Sequence, residues 1–250
     1  MVIGIDSFRE KFKEYTDYYT VIGGTACDIL LTEADLAFRA TKDIDMILIM
    51  EDNFPEFASV FWEYIKEGGY KCGWKNAESM HFYRFTDGKS GYPAMIELFS
   101  RKPGYHLEIE EGIIPIHIDE DISSLSAILL NDDFYEFMKN GRRVVNGIGV
   151  LGAEYLIPFK MYAWINLLER KRKGEHVNER DLKKHKYDVF RLLQIVDATT
   201  KVESIGIVTD SIHKYIEEIS AVDESEVRLQ QMGLPFDRDQ GVDLLKDIYL

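Results

Sequence analysis

The sequence predicts an α/β (α+β) domain, a mixed sheet with flanking helices, followed by an α-helical C-terminal domain. Three observations carry this reading. Residues 18–50 pass from a short apolar run through Gly23-Gly24-Thr25 and a helix-compatible stretch into a second apolar run, the order strand, helix, strand. Three more strand-like runs, at 70–74, 81–86 and 92–100, follow with turn-forming residues between them. From Gly152 onward the pattern is helical, so the boundary falls near there, giving domains of 1–150 and 151–250 with a cleft between them.

In chain order, Asp6 or Ser7 can cap a first helix with Phe8, Phe12 and Tyr15 on its apolar face. Residues 18–22 read as a strand, and Thr25 opens a helix to about Leu31. A polar loop carrying Arg39 and Lys42 leads to a strand over 43–50; both cations border the presumed site, and loop solvation explains them equally well. Residues 55–68 predict an amphipathic helix with Phe57, Val60, Phe61, Tyr64 and Ile65 inward, stopped by Gly68-Gly69. Strands over 70–74 and 81–86, a turn at Asp87-Gly88 and a strand over 92–100 follow. In that last strand Met95, Glu97 and Phe99 share a face, leaving Glu97 as a charge among apolar neighbours.

Residues 101–150 are less patterned. Ile113–Ile118 reads as a strand, 123–130 as a short helix or strand, and 132–139 as a helix. Residues 142–145 pair with a neighbour before a small-residue turn at 147–149. Gly147, Gly149 and Gly152 form a literal G-x-G-x-x-G, but a helix and a basic loop follow rather than a βαβ unit, which excludes a dinucleotide site. Residues 155–168 form a nearly all-apolar helix with Pro158 expected in its first turn. Its one charge, Lys160, needs a partner when buried: a carboxylate, or a bound triphosphate or metal-binding carboxylate in the cleft. Lys184 and Asp188 then lie four apart on one face of a further helix. Helices over 200–220 and 224–232 close the chain, with Ile205, Ile207, Ile212, Tyr215 and Ile219 as core candidates; the tail from Pro235 docks or stays mobile.

Composition narrows the class. A net charge of −14, from 30 Lys+Arg against 44 Asp+Glu, argues against a surface that coats nucleic acid. Between Lys160 and Lys186, however, nine basic residues face four acids, either a solvated helix end and loop or a local phosphate-binding wall. No segment reaches the roughly 18 apolar residues of a membrane span. The N-terminal residues mix both signs of charge, unlike a secretory signal. Cys27 and Cys72 are too few for a disulfide framework or a zinc site and read as reduced thiols. The six histidines are scattered without metal-ligand spacing, and His185 alone stands beside the proposed site. A cytoplasmic location is the expectation.

The chemistry-bearing stretch is 21–50. Asp43 and Asp45 are two apart in a strand and so point to one face, where they repel each other and lose solvation. A divalent cation relieves both penalties. The Gly23-Gly24 turn lets a ligand approach the backbone, and the helix that starts at Thr25 presents amides, a hydroxyl and a positive dipole end to a phosphate.

Gly-Gly-Thr, a loop and then Asp-x-Asp on a strand resembles the nucleotidyltransferase superfamily that includes DNA polymerase β. Within it, Gly23-Gly24-Thr25-Ala26 followed by Lys42-Asp43-Ile44-Asp45 is most similar to the AbiEii/AbiGii toxin-type nucleotidyltransferases. Lys160, the basic loop at 169–180, Lys184, Asp188 and Leu192-Leu193 match the family's later helical motifs, so the resemblance spans about 21–196. Residues 101–150 offer nothing that aligns. The resemblance implies that Glu97 is the third carboxylate of a site binding Mg²⁺ (or Mn²⁺) ions about 4 Å apart. It further implies an NTP substrate, with Gly23, Gly24, Thr25, Lys160 and Lys184 around its phosphates and Asp188 orienting Lys184 or meeting the acceptor. The implied acceptor is an RNA or protein hydroxyl, and the implied partner an antitoxin. The acidic surface suits a small-molecule acceptor of the antibiotic type better, and a non-catalytic nucleotide-binding module is the alternative outside enzymes.

Overall fold

A computed structural model describes residues 2–49, 54–72, 83–99, 131–223 and 227–250. The chain divides into two compact units. One holds the described residues up to Phe99 together with Arg142–Leu151; the other holds Asn131–Gly141 and the described residues from Gly152 on.

The first unit is the mixed α/β part. Its elements are α1 (Ile5–Phe12), a 3₁₀ segment (Lys13–Tyr18), β1 (Tyr19–Ile22), α2 (Gly23–Glu33), β2 (Asp43–Leu48) and α3 (Phe54–Gly68). They continue with β3 (Lys71–Cys72), β4 (Tyr83–Thr86) and β5 (Met95–Phe99). After α4 (Asp132–Asn140), which belongs to the second unit, come β6 (Arg142–Val145) and β7 (Ile148–Leu151). Among the described residues the strands form one seven-stranded sheet, ordered β3-β4-β5-β2-β1-β7-β6. The β2–β5 and β1–β7 pairs are parallel and the other neighbours antiparallel.

The central strands explain the layering. All four residues of β1 and all four of β7 are buried. β2 and β5 instead begin with alternation, burying Ile44, Met46, Ile96 and Leu98 while Asp43, Asp45, Met95 and Glu97 stay half-buried. An aromatic cluster of Phe8, Phe12, Tyr19, Phe57, Phe61 and Tyr64 packs α1 and α3 on this sheet, with Phe8 and Phe12 ring centres 4.7 Å apart. Arg142 fastens β6: its Nε donates to Thr20 Oγ1 at 3.0 Å and its Nη2 to the carbonyls of Thr16 and Asp17.

Several expected boundaries shift for local reasons. α1 starts at Ile5, capped by Gly4 in a left-handed conformation, so Asp6 and Ser7 fall inside the first turn rather than at the cap. α2 starts at Gly23, two residues before Thr25, and runs on to Glu33. The turn placed at 147–149 is instead Asn146-Gly147, with φ of 49° and 76°, and Ile148 and Gly149 belong to β7. Positive φ at both central positions matches a two-residue hairpin turn, which Asn-Gly favours. The predicted strand at 113–118, the short helix or strand at 123–130, and residue Trp74 lie outside the described residues.

The second unit is helical: α4, α5 (Ala153–Arg172), α6 (Glu179–Leu193), α7 (Gly206–Ala221) and α8 (Arg238–Tyr249). α5 is buried on nearly all sides from Leu156 to Leu167, as its composition predicted. Because it begins at Ala153, Pro158 lies in its second turn rather than its first. Proline there has no N–H for the carbonyl four residues earlier, that of Glu154. The Tyr249 hydroxyl of α8 donates to that carbonyl at 2.5 Å, so the C-terminal helix closes the gap in α5.

The tail therefore docks. A capping box between Asp237 and Gln240 starts α8, and Val242, Leu245 and Ile248 are buried. α7 begins where the Ile207 amide donates to Asp133 of α4 at 3.0 Å. Two helical expectations fail: Ile205 precedes α7 and is 62% exposed, and the described part of 224–232 holds a 3₁₀ turn at Gln230–Met232 instead of an α-helix. No helix is long and apolar enough to cross a membrane among the described residues.

Candidate active site

The sheet register brings the chemistry-bearing residues of the first unit together. Ile22, the last residue of β1, pairs with Asp45 of β2, and Asp45 pairs on its other side with Glu97 of β5. Asp43 lies two residues before Asp45 and shares its face, opposite Met95. Asp43, Asp45 and Glu97 therefore occupy one patch of the sheet, at the edge where β1 turns into α2.

Gly23 makes that turn with φ of 68°. A Cβ on Gly23 would fall 1.9 Å from Asp45 Oδ2, so the absent side chain is the space the carboxylate uses. At Gly24 a Cβ would meet Thr41 Oγ1 at 3.2 Å and Arg39 Nη1 at 3.7 Å. The loop before β2 thus packs on the start of α2 and brings a guanidinium to it, with Arg39 lying over the Phe38 ring at 4.4 Å. Ile22 at the cap position makes no side-chain hydrogen bond to the helix amides. The Thr25 hydroxyl is buried and donates to the Asp43 carbonyl, tying α2 to β2. That is a bracing contact, whereas the sequence pointed this hydroxyl at a phosphate.

Glu97 does not stand alone among apolar neighbours. Arg84 of β4 is directly opposite it, and Arg84 Nε donates to Glu97 Oε1. Sequence reasoning passed over Arg84 because its only signal was alternation in a short strand, Arg84 out and Phe85 in. As the side chains stand, no three His, Cys, Asp or Glu groups among the described residues converge to hold a metal ion. The donor set nevertheless fits Mg²⁺ or Mn²⁺: three carboxylates, all hard oxygen ligands, beside a backbone approach at Gly23 that carries no side chain.

In the second unit, Lys160 and Asp188 find each other. Lys160 Nζ lies 3.3 Å from Asp188 Oδ2, with side-chain exposures of 1% and 0%. Arg191 Nη1 lies 3.3 Å from the other Asp188 oxygen. Of the partners the sequence allowed for Lys160, the structure supplies a carboxylate. Lys184 pairs with Asp181 at 3.5 Å, an i,i+3 contact, in place of the expected i,i+4 contact with Asp188. The basic stretch of 160–186 is also laced with acids: Arg170 with Glu175, Lys171 with Glu179, and Arg172 with Glu218. Lys214 binds Glu169 in the same network. His185 is buried within α6.

No family model and no curated protein matches the chain. Among solved structures it is similar to an antigenic nucleotidyltransferase-like protein from Paracoccidioides brasiliensis. That likeness has 11% identity and a TM-score of 0.48, covering 99% of this chain and 91% of that one. It is also similar to JHP933 from Helicobacter pylori, with 14% identity and a TM-score of 0.40, covering 97% and 87% respectively.

Proposed function

We propose that the chain is a metal-dependent nucleotidyltransferase that moves an NMP from an NTP to an acceptor hydroxyl, breaking the α–β phosphoanhydride bond and releasing pyrophosphate. The observation that carries this reading is the register: Asp45 and Glu97 are in-register neighbours on parallel strands, Asp43 shares their face, and Gly23 packs against Asp45 at the start of a helix. Three carboxylates on one face beside a helix N-terminus combine a cation-binding surface with a phosphate-binding one.

In this reading Asp43 and Asp45 hold Mg²⁺ or Mn²⁺. The bound cation supplies charge neutralisation on the triphosphate and Lewis-acid activation of the transferred phosphoryl group. Glu97 completes the ligand set and accepts the proton of the acceptor hydroxyl. The amides following Gly23 and Gly24 receive the β- and γ-phosphates, while Thr25 holds α2 in place through Asp43. Within the helical unit, Lys160 with Asp188 braces α5 against α6.

The acceptor divides the reading. An RNA or protein hydroxyl, with the chain acting as a toxin opposed by an antitoxin, follows the toxin-type motif resemblance. The net charge of −14 favours a small-molecule acceptor. The test is Mg²⁺-dependent transfer from four α-labelled NTPs into RNA, protein or aminoglycoside-type acceptors, with Asp45→Asn alongside. Transfer lost in a folded Asp45→Asn variant supports the mechanism, and full activity in that variant refutes it. NTP binding without turnover on any acceptor would leave a nucleotide-binding module.

A further inference from the structure

Arg84, Glu97 and Asp45 lie in one row across β4, β5 and β2, each directly opposite the next. Glu97 thus has a guanidinium on one side and a carboxylate on the other. We propose that Arg84 is a latch on Glu97, occupying the third carboxylate until a divalent cation competes it away. This rests on the metal-site reading above and assigns the regulation of that site.

The physical case has two parts. Three carboxylates on one patch repel one another, and Arg84 offsets that repulsion in the metal-free protein by neutralising Glu97 through a charge-assisted hydrogen bond. The same bond opposes metal binding, because the guanidinium holds Glu97 Oε1 and offsets the negative charge that a cation would use. The pair is placed for exchange rather than burial: the Arg84 side chain is 37% exposed and Glu97 18%, so the freed guanidinium reaches water without being stranded. Compare Lys160 and Asp188, at 1% and 0%, where release would leave a buried charge. Arg84 is in this sense a positioning residue. It sets whether Glu97 faces the cation.

The test reads Mn²⁺ binding by the paramagnetic signal of the free ion, without substrate or turnover, on the full chain. Arg84→Ala is expected to bind Mn²⁺ about fivefold more tightly, the scale of one partly exposed ion pair. Arg84→Lys, which keeps a cation there, is expected to stay near wild type. Glu97→Gln should bind more weakly, and adding Arg84→Ala to it should change nothing further, since the latch then has nothing to hold. Unchanged or weaker binding in both Arg84→Ala and Arg84→Gln overturns the latch. Equal tightening in the Glu97→Gln background also overturns it, exposing a general field effect. Asp45→Asn separates the two readings: if it abolishes Mn²⁺ binding while Arg84→Ala does nothing, the metal site stands and the latch fails. If Asp45→Asn binds as wild type does, the metal-site reading itself fails.

Discussion

Replacing Tyr249 by Phe removes one hydroxyl and leaves the Glu154 carbonyl without the donor that Pro158 forces it to find elsewhere. Tyr249 is buried and the Glu154 residue half-buried, so the loss falls between a net hydrogen bond and an unsatisfied acceptor, about 1–2 kcal/mol. For a chain of 250 residues this corresponds to a fall in Tm of about 2–8 °C. The discriminating measurement is a double-mutant cycle with Pro158→Ala. Alanine restores an N–H at position 158, which can bond the Glu154 carbonyl within the helix. The Tyr249→Phe penalty should then shrink to about half a kcal/mol or less, giving a coupling energy of about 1 kcal/mol between residues far apart in sequence. Denaturant unfolding followed by far-UV circular dichroism supplies all four corners. A Tyr249→Phe penalty that is the same with proline or alanine at 158 would refute the reasoning.

Other perturbations follow from the same geometry. Gly23→Ala places a Cβ on the Asp45 carboxylate and strains a left-handed residue, so stability should fall by about 1–2 kcal/mol and metal binding should be lost with it; an alanine variant with wild-type Mn²⁺ affinity would contradict the packing. Asp188→Leu removes the buried carboxylate that faces the Lys160 ammonium and should cost about 3–5 kcal/mol, whereas Lys160→Met leaves Asp188 its Arg191 partner and should cost less. The double Lys160→Met/Asp188→Leu variant should recover most of the loss in a thermal melt. Burial pushes the hydroxyls of Tyr19, Tyr64, Tyr70, Tyr215 and Tyr249 above their ordinary 10.0. The unfolded chain therefore gives up these protons first, so stability holds below about pH 10 and declines as pH rises beyond it. Denaturation midpoints that stay level up to about pH 11 would contradict this.

The sequence carried the sheet's framework wherever a local pattern determined the element. The Asp43–Leu48 strand and the Phe54–Gly68 helix show their period within their own residues, and α5 shows its nearly all-apolar run. Register is different, because it is set between segments distant in the chain. Nothing local says that Arg84 comes to rest opposite Glu97, or that Asp188 crosses 28 positions to meet Lys160. Two features were legible and misweighed. Asn146-Gly147 is a strong hairpin signal that the neighbouring glycines obscured, and Asp237 followed by Gln240 is a capping box at the start of the helix that docks the tail. A helix over 200–220 predicts Ile205 in the core, yet Ile205 precedes the helix and its side chain is exposed.

The chain's itinerary has a consequence for how the protein is made and cut. It leaves the sheet unit for α4, returns for the β6–β7 hairpin, and only then enters the remaining helices. During synthesis the sheet lacks β7, the parallel neighbour of central β1, until Leu151 has emerged, by which time α4 is waiting without α5 and α7. A break in the chain just after Leu151 would hand α4 to the wrong fragment, leaving one piece with a surplus amphipathic helix and the other with a missing wall. Clean dissection would require excising the hairpin and rejoining it, so the two units are inherited together as one interleaved length of chain.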